Sequence, residues 1–425
     1  MGIKKAFKNT ARSVKNAVVN ATTFIAAVFL YVRDHVSAFT KKNAKRFYKH
    51  IATLTQKHII KVFLFLALAV IVLIAAIIVV PQIVPANGHA TVLDSLPQNE
   101  DAGGYATVCI GGMMNFDNKS FGQDTQTALL PLAGVFDGDI NMAFCGGGIT
   151  PDSEHLLEIK NAGIDLLSVA TRYTSPRAQE FTEIGQIDCI GAKNSPSYLT
   201  QAGGISIGII AAYGYEVEGS QAFCFNCLSP DGASAVIGEI SSLRSQGAHY
   251  IIVAVDWGNS TSEESTPEMH AIASELCANG ADLVIGTGSF FIQSARHIID
   301  ENSSVEADDH HLVAYSVGYL TSEYVGTGLS GGSYIAKITI VRPSDGDKTY
   351  AKQMQYIPVF RYKSEGKVMI FPSTTENHQN VGKILPPLSF SRYNSFTSAL
   401  QDKLGIIMTP VFEQPESDSG EKITL

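Results

Sequence analysis

Acidic residues are almost absent from the first 61 positions, where Asp34 is the only carboxylate among 13 lysines and arginines. The balance then reverses: residues 62–425 hold 18 of the 31 basic residues and 39 of the 40 acidic ones. No basic stripe interrupts that acidic remainder. This excludes nucleic acid as its partner, because binding a phosphate backbone needs clustered lysine and arginine. No small-x-small cleavage site follows promptly after the main apolar run, and 61 residues precede it, which excludes a cleaved signal peptide. Cys224 and Cys227 have C-x-x-C spacing, but no second closely spaced Cys/His pair exists to complete a zinc knuckle. A local disulfide or two free thiols remain for that pair. The glycine-rich "YVGTGLSGGSY" lacks the lysine and spacing of a phosphate loop and reads as a flexible hairpin connection. No internal repeat is found.

The apolar run itself is Val62–Val80, "VFLFLALAVIVLIAAIIVV", without one polar side chain. At the α-helical rise it spans roughly 28 Å, about one bilayer core. The lysine and arginine excess before it places the N-terminus in the cytoplasm and the acidic remainder outside. A single transmembrane helix carrying an extracellular domain is therefore expected at the cell membrane. Upstream, Ala17–Val32 is apolar but interrupted by Asn20, Thr22 and Thr23. It suits an amphipathic helix held on the inner leaflet by anionic lipid, with a second, weaker span as the alternative. The expected division is 1–61 cytoplasmic and basic, 62–80 transmembrane, 81–104 a Pro/Gly-containing linker, 105–375 the external domain, and 376–425 a C-terminal extension. The extension's end, Met408–Leu425, reads as a disordered acidic tail.

Within the external domain, strand and helix patterns alternate. Thr107–Gly111, Ile140–Cys145, Ile164–Ala170, Ile187–Gly191, Ile205–Ala212, Tyr250–Val255 and Asp282–Gly286 read as strands. Pro151–Ala162, Ser175–Gly185, Asp231–Gln246 and Thr266–Asn279 read as helices between them. The last carries Met269, Ile272, Ala273 and Leu276 at i, i+3, i+4, i+7, and Gly280 stops it. After residue 310, Leu312–Val317, Tyr334–Val341 and Lys352–Tyr362 alternate as strands with little helix. The βα-then-β order implies a layered α/β sandwich rather than a simple doubly wound sheet. The Asp308-Asp309-His310-His311 run reads as a solvated loop. All six cysteines lie beyond the apolar run, in a compartment that permits disulfides. Cys109 and Cys145 fall on strands expected to be neighbours, so Cys109, Cys145, Cys224 and Cys227 are candidates for at least one bridge.

The motifs at the strand ends resemble those of the CapA family of capsule-synthesis and poly-γ-glutamate proteins, from Tyr105 to Val341. The family's opening strand ends Gly-Asp; this chain has "VCIGGMM", with Gly112 at the aspartate. Its D-x-x-x-A-N-L-E-G-x-I-T motif is "DINMAFCGGGIT", with Phe144 and Gly146 at the asparagine and glutamate. Its A-G-x-D-x-x-S-x-A-N-N-H is "AGIDLLSVATRY", ending in Thr171, Arg172 and Tyr173. His-Trp-Gly appears as Asp256-Trp257-Gly258. The histidine-rich A-D-L-V-I-G-H-H-P-H-x-x-Q becomes "ADLVIGTGSFFIQ", with Thr287, Gly288 and Phe290 at the histidines, and Y-S-L-G-N-F is "YSVGYL", with Tyr319 at the asparagine.

The resemblance implies a calcineurin-type metallophosphatase-like fold, but glycine, threonine and phenylalanine cannot supply the carboxylate and imidazole ligands of such a metal site. Neither a metal nor another cofactor is expected. Asp256 is the sole weak catalytic candidate, and a lone carboxylate there reads as solvated or salt-bridged. The expected binding rim is Gly112, Phe144, Gly146, Arg172, Tyr173, Asp256, Trp257, Phe290 and Phe291. The resemblance thus points to a non-catalytic, membrane-anchored protein that binds or scaffolds an anionic envelope polymer of poly-γ-glutamate type, or the proteins that make it. The alternative is an active metal-dependent hydrolase or transferase rebuilt around Asp256. Protease added to intact cells is expected to digest the C-terminal domain and spare the N-terminus. Protection of the C-terminal part would overturn that topology.

Overall fold

The computed structural model describes residues 102–116, 129–150, 154–171, 178–192, 194–215, 225–228, 230–299, 310–344, 348–405 and 407–412. The expected span Val62–Val80, the segment Ala17–Val32, Cys224, Arg172 and Tyr173 lie outside these. Among the described residues no helix is long and apolar enough to cross a membrane.

In chain order the elements are β1 (Ala102–Met114), β2 (Ile140–Cys145), α1 (Glu154–Asn161), β3 (Leu166–Ser168), α2 (Ala178–Gly185), β4 (Asp188–Ile190), β5 (Ser197–Ala202) and β6 (Ile205–Tyr213). Then come α3 (Pro230–Ser245), β7 (Tyr250–Ser260), α4 (Pro267–Ala278), β8 (Leu283–Ser289), β9 (Ala295–Ile299), β10 (His310–Ala314) and β11 (Tyr319–Thr321). The chain continues through β12 (Gly332–Pro343), β13 (Tyr350–Ser364), β14 (Lys367–Pro372), α5 (Thr375–Ile384), α6 (Pro387–Leu404) and β15 (Thr409–Pro410).

They form two sheets. One runs β14-β13-β12-β1-β2-β3-β4, with β11 added beside β1 and β15 beside β13; the other runs β5-β6-β7-β8-β10-β9. The central strands are apolar on both faces, as strands buried on both sides must be. Val108, Ile338, Ile207 and Ile252 meet between the sheets, while Val253, Val284 and Ile210 face α3 and α4 through Val236, Ile240 and Leu276. On the opposite side Cys109, Ala143 and Leu167 pack under Leu156, Ile159 and Phe181 of α1 and α2. The result is the expected layered α/β sandwich, with four layers: helix, sheet, sheet, helix.

Three expectations are corrected at the ends of the domain and in its thiols. β1 already pairs with β12 at Ala102, inside the stretch expected as linker. Beyond residue 375, where periodicity fades, α5 and α6 bury Val381, Tyr393, Phe396 and Leu400 in the inter-sheet core. Met408 is buried and Thr409–Pro410 pairs with β13, so residues 408–412 are an ordered edge of the sheet and not part of a tail. Cys109, Cys145, Cys189 and Cys277 are free buried thiols, so the expected bridge does not involve Cys109 or Cys145. Cys109 and Cys145 do sit on neighbouring strands, but the register sets Cys109 opposite Asn141 and Cys145 opposite Met114. Several residues of offset at about 3.3 Å each puts them far beyond disulfide reach. Burial pushes the Cys109 thiol up to about 11 and the Cys189 and Cys277 thiols up to about 12, so they behave as apolar packing groups.

One ion pair ties the N-terminal ends of β7 and β8 to α3. Arg244 donates to the backbone oxygens of Ala248, His249 and Gly280, and to Asp282 Oδ2 at 2.5 Å. Asp282 Oδ2 also accepts from Ile251 N at 2.6 Å. Burial raises the Asp282 carboxyl's pKa and Arg244 pulls it part of the way back. An acid whose folded-state pKa is raised binds more protons folded than unfolded, so stability falls as pH rises from the ordinary carboxylate range through the raised value. Arg244→Ala strands this buried carboxylate and is expected to cost about 3 kcal/mol near neutral pH, with a smaller deficit in acid, where Asp282 is protonated. Chemical unfolding at two pH values measures it, and a pH-independent loss would refute the assignment.

Candidate functional site

β1, β2, β3, β6, β7 and β8 all point their C-terminal ends toward one edge of the sandwich, where an α/β fold gathers ligand-binding loops. The residues between Tyr315 and Tyr319 cross this edge from one sheet to the other. Val317 N donates to Gly286 O and Gln293 N donates to Ser316 O on the second sheet. On the first sheet Met113 N donates to Gly318 O, and Tyr334 N to Val317 O. Thr287 Oγ1 also donates to Gly318 O, at 3.0 Å. Gly318 has φ +78°, a conformation that suits glycine.

Packing at this edge is close enough to exclude side chains. A Cβ at Gly112 falls 2.3 Å from Gly318 O and 2.7 Å from Ser333 Oγ. At Gly146 it falls 2.0 Å from Met114 O, and at Gly288 2.4 Å from Gly258 O. Gly288 also has φ +102°. Thr171, fully buried, donates its hydroxyl to Cys145 O at 2.5 Å.

Asp256 corrects the expectation of a solvated carboxylate. It is 1% exposed, and its Oδ1 accepts from Gly258 N at 3.0 Å, which folds the turn after the first half of β7. Phe144 lies fully buried in the inter-sheet core, and Gly112 and Gly146 are buried too, so none of the three presents a surface. Trp257 follows Asp256 on the strand and therefore points the opposite way, onto the helix side of its sheet with Met269. Of the expected rim within the described residues, Phe290 and Phe291 stay partly exposed at the edge. His311 corrects the solvated-loop reading as well: it lies in β10, buried, with Nδ1 2.6 Å from Ala281 O.

The structure adds Tyr324, Arg361 and Arg392, which no motif marked. Phe290 stacks on Tyr319, with centroids 4.4 Å apart, and meets the exposed Tyr324 edge-on at 6.1 Å. Behind them Arg361, fully buried, donates to the backbone oxygens of Tyr319, Tyr324 and Ser330. Burial lowers its pKa to about 10, so it stays charged at neutral pH. Arg392 holds the same loop through Val325 O and Gly326 O. An open groove of about 400 Å³ lies alongside, lined by Glu323, Tyr324, Val325, Lys363 and Arg392. Arg361 and Arg392 stand far from the loop they clamp in sequence, so only alternation hinted that Arg361 sat on a strand.

Among Gly112, Phe144, Gly146, Thr171, Asp256, Thr287, Gly288 and Phe290, Asp256 is the one carboxylate and none is a histidine. No three His, Cys, Asp or Glu residues are grouped for a metal ion among the described residues. This donor set does not fit a dinuclear metal centre, which needs several carboxylate and imidazole ligands.

The fold and its loop edge thus define a layered α/β sandwich with a sterically closed strand-end site. Residues 139–324 match the model of the family described as bacterial capsule synthesis protein PGA_cap. No curated protein matches the chain. Among solved structures, a phosphatase from Mycoplasma pneumoniae is similar at 12% identity, covering 60% of this chain and 94% of its own, with a TM-score of 0.41. A hypothetical protein from Thermus thermophilus is 15% identical over 63% of this chain and 99% of its own, TM-score 0.37. The 5'-nucleotidase precursor from the same organism is 10% identical over 70% of this chain and 59% of its own, TM-score 0.36.

Gly112→Asp restores the family's carboxylate in sequence but drives it into Gly318 O. It is expected to lower stability by about 3 kcal/mol or more, at the upper end for overpacking. A variant that unfolds at the wild-type midpoint would show the edge to be open.

Proposed function

We propose that this is a non-catalytic, membrane-anchored CapA-type protein of capsule-polymer synthesis, which binds or scaffolds an anionic envelope polymer of poly-γ-glutamate type outside the cell. The observation that carries the non-catalytic reading is the closed edge: positions 112, 146 and 288 admit no side chain, and Asp256 is buried. A lone carboxylate gains little from a divalent cation, because desolvation nearly cancels the attraction. Anchoring rests on the apolar run Val62–Val80 and the charge reversal across it.

Polymer binding is supported by the groove between Tyr324, Lys363 and Arg392, with the Phe290–Tyr319 stack at its side. Cationic groups beside aromatic faces suit a chain of carboxylates on an apolar backbone. A charge placed at Phe290, as in Phe290→Asp, is expected to weaken such binding. The purified protein is expected to hold no stoichiometric Mn²⁺, Zn²⁺ or Fe and to hydrolyse no generic phosphoester, with Asp256→Ala leaving binding to polyglutamate unchanged. Elemental analysis and a phosphoesterase assay decide the matter. About two equivalents of metal, lost in Asp256→Ala, would establish instead a hydrolase rebuilt around Asp256.

A further inference from the structure

A second concavity lies on the helix side of the β6-β7-β8 sheet, across the strands from Asp256. Its volume is about 260 Å³, and it is lined by Gly214, Leu228, Trp257, Thr266, Glu268, Met269, Ser289 and Gln293. Two glycines shape it. A Cβ at Gly214 falls 2.7 Å from Trp257 Cε3, and one at Gly286 falls 2.2 Å from Trp257 Nε1. With no side chains there, the indole extends over the backbones on either side of its own strand. Met269 packs against the same helix-side core as Trp257, and Leu228, 43% exposed, stands on the wall.

The lining is electron-rich and, among the described residues, contains no lysine, arginine or histidine. Gln293 is 1% exposed and spends both amide hydrogens on Ser262 O and Glu264 O, each at 3.1 Å. That fixes the orientation of its carbonyl, and Oε1 is buried without a hydrogen-bond partner among the described residues. The Ser289 hydroxyl is used up, donating to Ser262 O and accepting from Phe291 N. Thr266 Oγ1 caps α4 by accepting from Met269 N. Glu268 sits exposed in the first turn of α4, where its own backbone N–H and the Thr266 hydroxyl favour the ionised carboxylate. It thereby offsets the partial positive charge of the helix start. An anion entering here meets a carboxylate and an indole face with no cation to receive it. A cation meets an indole and a carboxylate, the pairing that favours organic ammonium groups, with the Met269 thioether, which accepts from Thr266 N, on the wall.

The geometry points to a binding site for an organic ammonium group, seated on Trp257 and paired with Glu268. Its volume suits a small head, either a quaternary ammonium or the end of a primary alkylamine. It is independent of the polymer groove and stands or falls separately from it.

Trp257 is the only tryptophan in the chain, so fluorescence excited selectively at tryptophan, away from the tyrosine band, reports on this pocket alone. The full-length protein in detergent is titrated with tetramethylammonium chloride and with n-butylammonium chloride, against sodium chloride at equal ionic strength and against tert-butanol as the neutral isostere. The expected result is a saturable change with one or both ammonium salts, half-complete on the order of millimolar, and none with the controls. Saturation by tetramethylammonium alone assigns a quaternary head; saturation by butylammonium alone assigns a primary amine. Glu268→Gln, which keeps the size of an exposed side chain and removes its charge, is expected to raise the half-saturation concentration about threefold or more. No saturable response, an equal response to tert-butanol, or an unchanged half-saturation in Glu268→Gln overturns the site.

Discussion

A single carbonyl oxygen joins the two sheets at the edge where this fold would hold a ligand. Gly318 O accepts from Met113 N on β1 and from Thr287 Oγ1 on β8, so one acceptor satisfies a donor from each sheet. A buried donor left without a partner costs on the order of 1–3 kcal/mol, which makes the position of this oxygen a constraint on everything near it. Gly112 must be glycine because any Cβ meets that oxygen, and Gly318 itself adopts a positive φ. Thr287 is thus a structural donor.

The same edge is stiffened from behind by charge. Arg361 is removed from water with backbone carbonyls as its partners, an arrangement tolerable because three well-placed acceptors replace the lost hydration. Those carbonyls belong to Tyr319, Tyr324 and Ser330, so the guanidinium sets the course of the loop that carries the aromatic groups. Arg392, on α6, grips the next carbonyls of that loop. The C-terminal helices therefore support the candidate surface directly, although nothing in their periodicity pointed to the site.

Much of the sandwich was legible as apolar runs of strand length. Ile140–Cys145 matches the strand residue for residue, because six buried residues in an extended, mostly apolar run admit little else. Weakly patterned elements were not legible: β5, with its half-buried "SYLTQA", the short antiparallel β9, and the α5–α6 pair, where Ser, Asn and Lys are interspersed with the buried residues. The helices' apolar groups find partners on β13 and β14, and only those partners define which face is inside.

The sequence by itself determined the layered α/β class, the family resemblance and the absence of ligand-type side chains at the strand ends. Each of these follows from local pattern or from residue identity at a fixed spacing. Only the tertiary structure decided what the side chains at those strand ends do. Whether Asp256 meets water or a backbone amide depends on the turn that closes over it, and whether Phe144 is rim or core depends on the sheet opposite. Likewise, Asp256 and Trp257 are adjacent in sequence yet serve opposite faces, because a strand alternates its side chains and the two faces border different layers.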